Sequence, residues 1–200
     1  MPYHKIKILS LIKNIIKHIK QTIINEIEEI KMKIMVCYFS NTGNTEKIAR
    51  RIAEGLEGEE VELLKIEDAD PSTLKNYDLV LLGSGIYAGK LHKKVTDFMK
   101  KVLEYPPKFA FFNTHQSPTA YQKAFKRIIK TLEENNSKVI GEFECVGENL
   151  GIPKETTLKM LEKLPVEERK KQEKYLETTK GRPNEQDLAN AKAFGKSLVQ

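Results

Sequence analysis

The sequence predicts an α/β domain in which a doubly wound parallel sheet carries helices on both faces. From Lys33 onwards, short apolar runs alternate with stretches of helical spacing, which is the pattern of repeated β-α-β units. The first of these runs, KIMVCYF, is apolar almost throughout, as expected of a strand that is covered on both faces. The chain has 200 residues, of which 40% are hydrophobic, so it is long enough for one domain with a substantial core.

Five strands follow from this pattern. The second one alternates apolar and polar residues, which suits a strand at the edge of a sheet. Gly141, inside the fifth strand, indicates a bulge or a close packing contact. The predicted strands are Lys33–Phe39, Val61–Ile66, Asp78–Gly83, Lys108–Asn113 and Lys138–Cys145.

Helices are expected between the strands and after the last one. Residues 70–72 (Asp-Pro-Ser) open a short helix or turn. The longer helices are predicted at Thr45–Leu56, at Leu91–Leu103 and from Pro118 to about Glu134, with a final helix that begins near Asn184. The final helix places four apolar residues on one face, namely Leu188, Ala191, Phe194 and Leu198.

The segment Gly147–Pro183 is less regular than the rest. A helix is predicted at Lys154–Lys163, and a highly charged stretch, Glu167–Lys174, follows it. We interpret the whole segment as an insertion before the final helix. If the domain acts on a small molecule, the insertion would supply walls for the substrate.

Residues 1–31 form a leader that precedes the domain at residues 32–200. Apolar residues spaced three and four apart predict one amphipathic helix, at Ile12, Ile16, Ile19, Ile23, Ile27 and Ile30. Lysines at positions 13, 17 and 20 interrupt every window that is long enough to span a membrane. Three interpretations remain: a helix that docks on protein, an interfacial membrane helix, which is the less expected, or a mis-assigned start before Met32.

Composition excludes several classes of protein. The net charge is +6, but charges of both signs are mixed along the chain and no nucleic-acid-binding signature accompanies them. The two cysteines, Cys37 and Cys145, lie far apart and outside any metal-binding spacing, so neither a disulfide framework nor a metal site is expected. This cysteine usage fits a cytoplasmic protein.

A polar loop joins the first strand to the first helix. Its residues are Ser40, Asn41, Thr42, Gly43, Asn44 and Thr45. Backbone N–H groups and hydroxyls therefore gather at a helix N-terminus, which is a site for an anion. Gly43 lets the backbone approach an oxyanion closely, and the two asparagines suit the turn. The loop lacks the lysine of nucleoside-triphosphate loops, so a single phosphomonoester held by neutral donors is favoured.

The run FSNTGNTEKIARRIAEGL after an apolar strand resembles the phosphate-binding signature of the flavodoxin family. Two further blocks, GSGIYAGKLHKKVTDF and GRPNEQDLANAKAFGKSL, also resemble that family, so the likeness spans most of residues 32–200. The resemblance implies a flavodoxin-like sheet of order 2-1-3-4-5 and non-covalent binding of flavin mononucleotide (FMN). Ligands of such sheets bind beyond the carboxyl ends of the strands where the winding reverses.

That placement predicts which residues surround the flavin ring. After the third strand come Ser84, Gly85, Ile86, Tyr87, Ala88 and Gly89, with Tyr87 expected to stack on the ring and Gly85 as a candidate for a peptide flip toward the reduced flavin. After the fourth strand come Asn113, Thr114 and His115, whose backbone would face the other side of the ring. His115 is either a ligand contact or, as is more usual for a lone histidine in a loop, solvated. No residue is predicted to be catalytic.

The resemblance implies electron transfer through FMN, with a redox partner protein as donor or acceptor. We call the segment after the third strand the ring loop. Four basic residues lie in or next to it, namely Lys90, His92, Lys93 and Lys94. Their positive charge would favour acidic partners, unless these side chains are simply the solvated start of a helix. The same loop also resembles that of menaquinone-dependent protoporphyrinogen oxidases. An FMN-dependent oxidoreductase of a quinone or another small molecule therefore remains an alternative, and a non-redox interaction module with this fold is a third.

Overall fold

A parallel sheet forms the centre of the computed structural model, which describes residues 11–22, 31–117, 119 and 121–200. The sheet order is β2-β1-β3-β5-β6 with every neighbouring pair parallel, while β4 pairs with β3 in the antiparallel sense. The predicted order of five strands is confirmed, and the short β4 is additional. The strands are β1 (Lys33–Phe39), β2 (Glu60–Lys65), β3 (Leu79–Tyr87), β4 (Lys90–Leu91), β5 (Lys108–His115) and β6 (Lys138–Val146).

Helices cover both faces of the sheet domain, Lys33–Gln200, which is a compact unit separate from the leader. A short 3-10 helix, Pro71–Asn76, begins where Asp70 was expected to open one. Residues 11–22 are helical and are labelled α1. The other helices are α2 (Asn44–Gly55), α3 (Lys93–Met99), α4 (Lys126–Glu134), α5 (Lys154–Glu162), α6 (Val166–Thr179) and α7 (Glu185–Ser197).

Two strands run further than the sequence suggested, because their neighbours continue beside them. β3 was expected to end at Gly83, yet Ser84 still pairs with Phe39 of β1 and with Asn113 of β5. β5 was expected to end at Asn113, yet His115 pairs with Val146 of β6. Both extensions place residues predicted for loops into the sheet itself.

Gly141 accompanies a bulge, as predicted. The pairing of β5 with β6 shifts between Phe109 and Ala110, which leaves Ile140 without an opposite residue. A Cβ atom at Gly141 would lie 3.0 Å from the ring of Phe194 and 3.1 Å from the side chain of Leu198. Gly141 thus also lets α7 pack closely on β6.

α2 and α7 cross at two glycines. A Cβ atom at Gly55 would lie 2.1 Å from the carbonyl oxygen of Lys192, and one at Gly195 would lie 2.2 Å from that of Ile52. The absence of side chains at these positions lets the two helix backbones touch. Because α2 follows the loop at Ser40–Thr45, this contact fixes the position of that loop.

Three helix predictions need correction. The helix predicted at Leu91–Leu103 is the shorter α3, Lys93–Met99, because Leu91 pairs in β4 with Ile86 of β3. α4 begins at Lys126, and residues 121–125 form turns instead, with Ala124 N donating to Tyr121 O; the predicted start, Pro118, lies outside the described residues. α6 was predicted only as a charged stretch, since it has no apolar face from which a helix could be recognised. The predicted helix in the first half of the insertion is confirmed by α5.

α1 is amphipathic as the spacing predicted. Its apolar residues are all exposed, namely Leu11, Ile12, Ile15, Ile16 and Ile19. The predicted positions Ile23, Ile27 and Ile30 lie outside the described residues. Within the described parts of the chain, none of the helices combines the length and apolar content that a membrane crossing requires.

Candidate functional site

A cavity of about 810 Å³ lies at the carboxyl ends of β1, β3 and β5. Four segments line it: the loop Ser40–Thr45, the β3–β4 turn, the residues that end β5, and the insertion. The predicted site residues that line it are Asn41, Thr42, Asn44, Thr45, Gly85, Ile86, Tyr87, Ala88, Gly89, Thr114 and His115. Ser40, Gly43, Ser84 and Asn113 lie beside it without lining it.

The loop Ser40–Thr45, here called the anion loop, has a backbone conformation that suits an anion. Gly43 adopts a φ of 90°, a left-handed conformation that glycine tolerates best, and its N–H donates to Ser40 Oγ at 3.1 Å. No side chain caps the N-terminus of α2, so the N–H groups of its first turn lack an intrahelical partner and a side-chain cap. This arrangement leaves backbone donors facing the position of an anion.

The hydroxyls of the loop are used differently from what was expected. The Ser40 hydroxyl accepts a bond from the loop itself. The hydroxyls of Thr45 and Thr114 lie 2.8 Å apart in the interior, where they join α2 to β5. Thr42 lines the cavity, and its hydroxyl makes no hydrogen bond with another residue in the described ranges. Backbone amides therefore carry more of the anion site than side chains do.

Tyr87 lies across the mouth of the cavity. Its hydroxyl accepts a hydrogen bond from Asn41 N at 3.3 Å, and its ring meets those of Phe39 and His92 edge-on, at centroid distances of 6.2 and 5.4 Å. A Cβ atom at Gly85 would lie 2.8 Å from the Tyr87 hydroxyl. The tyrosine is thus near the predicted ring position, but in this conformation its hydroxyl occupies a backbone donor of the anion loop.

The remaining residues of the β3–β4 region divide into two groups. Ser84 is fully buried; its hydroxyl donates to Gly85 O at 2.7 Å and accepts from His92 N at 3.2 Å. It therefore positions the turn and does not face the cavity. Ala88 and Gly89 have φ values of 48° and 77°, which make the tight turn into β4.

His115 is buried, not solvated. Its Nε2 lies 2.5 Å from a carboxylate oxygen of Glu144 on the adjacent strand, and its ring stacks on Tyr121 with centroids 3.9 Å apart. The expectation of a solvated loop histidine is wrong because β5 extends to this residue. Asn113 and Thr114 are buried in the same strand end.

Several buried polar atoms in and near the cavity have no hydrogen-bond partner among the described residues. Asn44 Oδ1 and His115 Nδ1 belong to residues that line the cavity, as does the hydroxyl of Tyr175 in α6. Asn113 Oδ1 is also unpartnered and belongs to a residue that lines a smaller cavity of about 340 Å³ on the α4 side of the sheet. Buried polar atoms are normally satisfied, so these atoms point to groups that a ligand or water would supply.

The insertion, which was expected to supply walls if the domain acts on a small molecule, forms one wall of the cavity, but none of its residues was among the predicted site residues. Asn44 Nδ2 donates to Glu148 O at 2.8 Å, and Asn149 Nδ2 donates to Gln116 Oε1 at 3.1 Å. These bonds tie the insertion to the anion loop and to the segment after β5. The lining residues it contributes are Gly147, Glu148, Asn149, Gly151, Ile152, Lys171, Gln172 and Tyr175. The available signal was its place in the chain, directly after a strand whose carboxyl end faces the ligand.

The base of the insertion is anchored to α7. Glu148 N donates to Arg182 O at 2.8 Å, and the Glu148 carboxylate accepts from Gly181 N at 2.8 Å. Arg182 pairs with Asp187 through two hydrogen bonds. Burial raises the pKa of the Asp187 carboxyl, but the bonds from Arg182 and from the backbone of Asn184 outweigh it, so the pKa lies below its usual value.

The basic ring loop is largely neutralised by its neighbours. Lys93 pairs with Asp97 and Lys94 with Glu67. His92 stacks on Phe39 with centroids 3.6 Å apart, and burial together with the nearby Lys94 lowers its pKa. Two of the three lysines of this loop are thus held in ion pairs, which weakens the positive field expected beside the ring.

The other polar chemistry of the described residues offers no alternative centre. No cluster of three His, Cys, Asp or Glu side chains in the described ranges is placed to hold a metal ion. Both thiols, those of Cys37 and Cys145, are buried, and burial raises the pKa of each to about 12. Neither cysteine is therefore a reactive thiolate near neutral pH.

Comparison with known proteins matches this architecture. The family model described as flavodoxin domain matches residues 35–196. An uncharacterised protein of Methanocaldococcus jannaschii is 32% identical over 171 residues, which cover 84% of this chain and 99% of that protein. The flavodoxin-like domain-containing protein BilS of Clostridioides difficile is 29% identical, over 84% of this chain and 97% of that protein.

Solved structures give the same fold. Flavodoxin 2 of Bacillus cereus is similar with a TM-score of 0.58 and 21% identity, over 84% of this chain and 97% of that chain. A flavodoxin from the domain Archaea gives a TM-score of 0.57 and 18% identity, over 84% of this chain and 96% of that chain. At these identities the structural likeness concerns the fold alone.

Proposed function

The chain belongs to the flavodoxin family, and from that membership we propose that it is an electron carrier that holds FMN non-covalently in the 810 Å³ cavity. As a member of this family, it binds FMN and takes part in electron transfer. The proposal concerns which of its residues hold the cofactor and what it exchanges electrons with. The observation that carries it is the uncapped N-terminus of α2, which opens into a cavity lined by the ring loop.

The residues present fit FMN. The anion loop contributes neutral donors and contains no acidic residue, which suits a phosphomonoester. The one carboxylate among the lining residues, that of Glu148, is turned to Gly181 N. The unpartnered Asn44 Oδ1 offers an acceptor inside the cavity, where a hydroxyl of the cofactor would be a donor.

Each segment has a distinct role in this proposal. Backbone N–H groups of Ser40–Thr45 hold the phosphate, with the hydroxyl of Thr42 as an additional donor. The turn after β3, from Gly85 to Gly89, covers one side of the flavin ring, with Tyr87 as its aromatic contact. Thr114 and His115 lie on the other side, while Ser84 and Asn113 support these residues from the sheet.

Bound FMN supplies reversible redox chemistry, and the protein supplies binding, orientation and electrostatics. The stacked His92 and Phe39 keep the turn after β3 in place. The pairing of Lys93 and Lys94 with carboxylates keeps the charge beside the ring moderate. We place the carrier in the cytoplasm, because its two thiols remain free and buried.

The experiment is the visible spectrum of the purified protein before and after addition of FMN. A variant with Ser40→Ala, which removes the acceptor of Gly43 N, and Thr42→Ala should bind flavin more weakly, whereas a variant with Thr156→Ala and Ser197→Ala, two exposed hydroxyls outside the cavity, should bind it as the wild type does. Circular dichroism of both variants checks that they fold. If the folded wild-type protein takes up no FMN, the proposal is wrong.

A second candidate is an FMN-dependent oxidoreductase of a small molecule. The observation that favours it is the wall built by the insertion, which enlarges the cavity beyond the segments expected to hold FMN. A carrier requires a protein donor and a protein acceptor in each turnover. An enzyme would instead reduce a quinone, or oxidise NAD(P)H, over many turnovers without a partner protein, so steady-state assays separate the two.

A further inference from the structure

We propose that the insertion side of the cavity is a binding subsite for an anionic small molecule, with Lys171 of α6 as the residue that recognises the negative charge. The proposal rests on the second candidate function, since a substrate subsite is needed by an enzyme and not by a carrier. The subsite comprises Lys171, Gln172 and Tyr175 of α6, together with Ile152, Gln116 and His115.

α6 presents three polar side chains to the cavity from one turn. Lys171 and Tyr175 are four residues apart, so they lie on the same face of the helix, and Gln172 lies beside them. Lys171 and Gln172 are exposed, and the residues of α6 that are buried or half-buried are Tyr175, Leu176 and Thr179, near its C-terminal end. The helix is therefore held at that end, and Lys171 and Gln172 border the cavity from the solvent side.

Among the described residues that line the cavity, Lys171 is the only lysine or arginine. It forms no ion pair with any residue in the described ranges, whereas its neighbours Lys170 and Arg169 pair with Glu167 and Glu173. The carboxylate of Glu148 is engaged by Gly181 N. The lining thus carries one positive and one negative side chain, but the carboxylate is held by a backbone donor while the Lys171 ammonium is not paired, so Lys171 is the charged group open to an anion.

Two unpartnered polar atoms border the same region. His115 is 96% buried and its Nδ1 has no partner, and the buried hydroxyl of Tyr175 has none either. Both residues line the cavity. Because an unsatisfied buried polar atom is unfavourable, a ligand with hydrogen-bonding groups would recover part of that free energy. Ile152 adds an apolar contact, so the ligand combines a negative group with an apolar body.

Hydrogen bonds to α7 hold the two ends of the insertion in place. The backbone bond between Glu148 and Arg182 and the pairing of Arg182 with Asp187 anchor the insertion to α7. At the start of α7, the side chain of Asn184 accepts from Asp187 N, and the side chain of Asp187 accepts from Asn184 N. Both ends of the insertion are therefore fixed before any ligand arrives, which lowers the entropic cost of binding.

The cavity extends beyond the segments proposed to hold FMN. Its volume is about 810 Å³, towards the upper end of the range of about 300 to 1,000 Å³ for ligand pockets. The anion loop and the turn after β3 account for one side of it. The subsite occupies the other side, next to His115, where a small molecule would lie against the cofactor.

The test uses FMN-loaded protein titrated with benzoate and with benzamide, which have the same shape and differ in charge. Isothermal titration calorimetry should show tighter binding of benzoate. Lys171→Gln should weaken benzoate binding about tenfold, the equivalent of 1.4 kcal/mol, and leave benzamide unchanged. Lys174→Gln, on the same helix but outside the cavity lining, should change neither. Tyr175→Phe should weaken both ligands.

Equal affinity for benzoate and benzamide, or an unchanged benzoate affinity in Lys171→Gln, would overturn the proposal. A loss of bound FMN in Lys171→Gln would also overturn it, because the lysine would then serve the phosphate of the cofactor. FMN content is read from the visible spectrum before each titration. If the wild-type protein takes up no FMN, the proposed function itself fails, and the same titrations on flavin-free protein still decide the role of Lys171.

Discussion

The side-chain amide of Asn44 donates to the carbonyl oxygen of Glu148 at 2.8 Å, and this bond joins the anion loop to the insertion. Asn44→Ala removes the donor and also the unpartnered Oδ1 that lines the cavity. We expect the free energy of unfolding to fall by about 1 kcal/mol and the dissociation constant of FMN to rise about tenfold. Urea denaturation and fluorescence titration with FMN measure the two effects.

Asn190→Ala is the matched control for Asn44. The Asn190 side chain also makes one hydrogen bond, to Gln186 Nε2 at 2.9 Å, but on the exposed surface of α7. It should change neither stability nor FMN affinity appreciably. An equal loss of FMN affinity in both variants would contradict the role given to the bond between Asn44 and Glu148.

Alanine substitutions at Gly43 and at Gly58 distinguish an effect of backbone strain from an effect on FMN binding. Their φ values are 90° and 109°, and a Cβ atom at either position would touch nothing within 4 Å. Alanine at each site should therefore cost about 1 kcal/mol through the backbone alone. Only Gly43→Ala should also weaken FMN binding, since Gly58 lies in the turn before β2. FMN affinity that stays at the wild-type value in Gly43→Ala would remove the loop from the site.

The alternation of apolar runs and helices predicted a doubly wound parallel sheet, and the family resemblance implied its strand order. It also predicted the anion loop, since Ser40–Thr45 carries its signature in consecutive residues. The burial of His115 inside β5 was not predictable in the same way. A strand ends where its neighbours stop pairing, and the extent of β6 beside β5 depends on contacts that no local pattern records.

The insertion was expected to supply walls for a substrate, but the helix α6 and the residues that it places at the cavity escaped prediction for a different reason. Helices are recognised in a sequence by an apolar face, and α6 has none: its buried or half-buried residues are Tyr175, Leu176 and Thr179, all near its C-terminal end. Its docking rests on bonds made elsewhere, at Glu148 and Arg182. Polar contacts between segments that are distant in sequence produce no periodic pattern, so this part of the site can be identified only from the structure.

Gly195→Ala tests the crossing of α2 and α7. In an exposed helix this substitution stabilises by about 1 kcal/mol, because alanine is the better helix former. Here the new Cβ atom would lie 2.2 Å from Ile52 O, and we expect a net loss of about 1–3 kcal/mol from overpacking. Ala193→Gly, on the exposed side of α7, should cost about 1 kcal/mol through propensity alone. A Gly195→Ala protein that is more stable than the wild type would contradict the close crossing.

Asp187 should make stability depend on pH in the acid range. Its pKa in the folded protein lies below the usual value, so its stabilising contribution is complete above the unfolded pKa of about 3.9 and is lost as the pH falls through the folded pKa. Asp187→Asn should lower the free energy of unfolding at neutral pH by about 2 kcal/mol. The loss relative to wild type should shrink below about pH 3. Denaturant titrations across this range measure the difference, and a constant gap between the two proteins would refute the assignment.

Tyr87 makes two opposing contributions to FMN binding, and two substitutions separate them. Its hydroxyl accepts from Asn41 N at 3.3 Å and so occupies a donor of the anion loop. Its ring, held against Phe39 and His92, is the predicted contact of the flavin.

Tyr87→Phe removes only the hydroxyl, so the N–H of Asn41 becomes available without the cost of displacing that hydroxyl. FMN affinity should therefore stay equal or rise by up to about fivefold, equivalent to about 1 kcal/mol. Tyr87→Ala removes the ring as well, and affinity should fall at least about tenfold, since stacking of a planar ring on an aromatic side chain contributes about 1–3 kcal/mol. Fluorescence titration with FMN measures both. If Tyr87→Phe weakens binding as much as Tyr87→Ala does, the hydroxyl is itself a contact of the cofactor, and the position of the ring across the cavity mouth is the one that FMN binding retains.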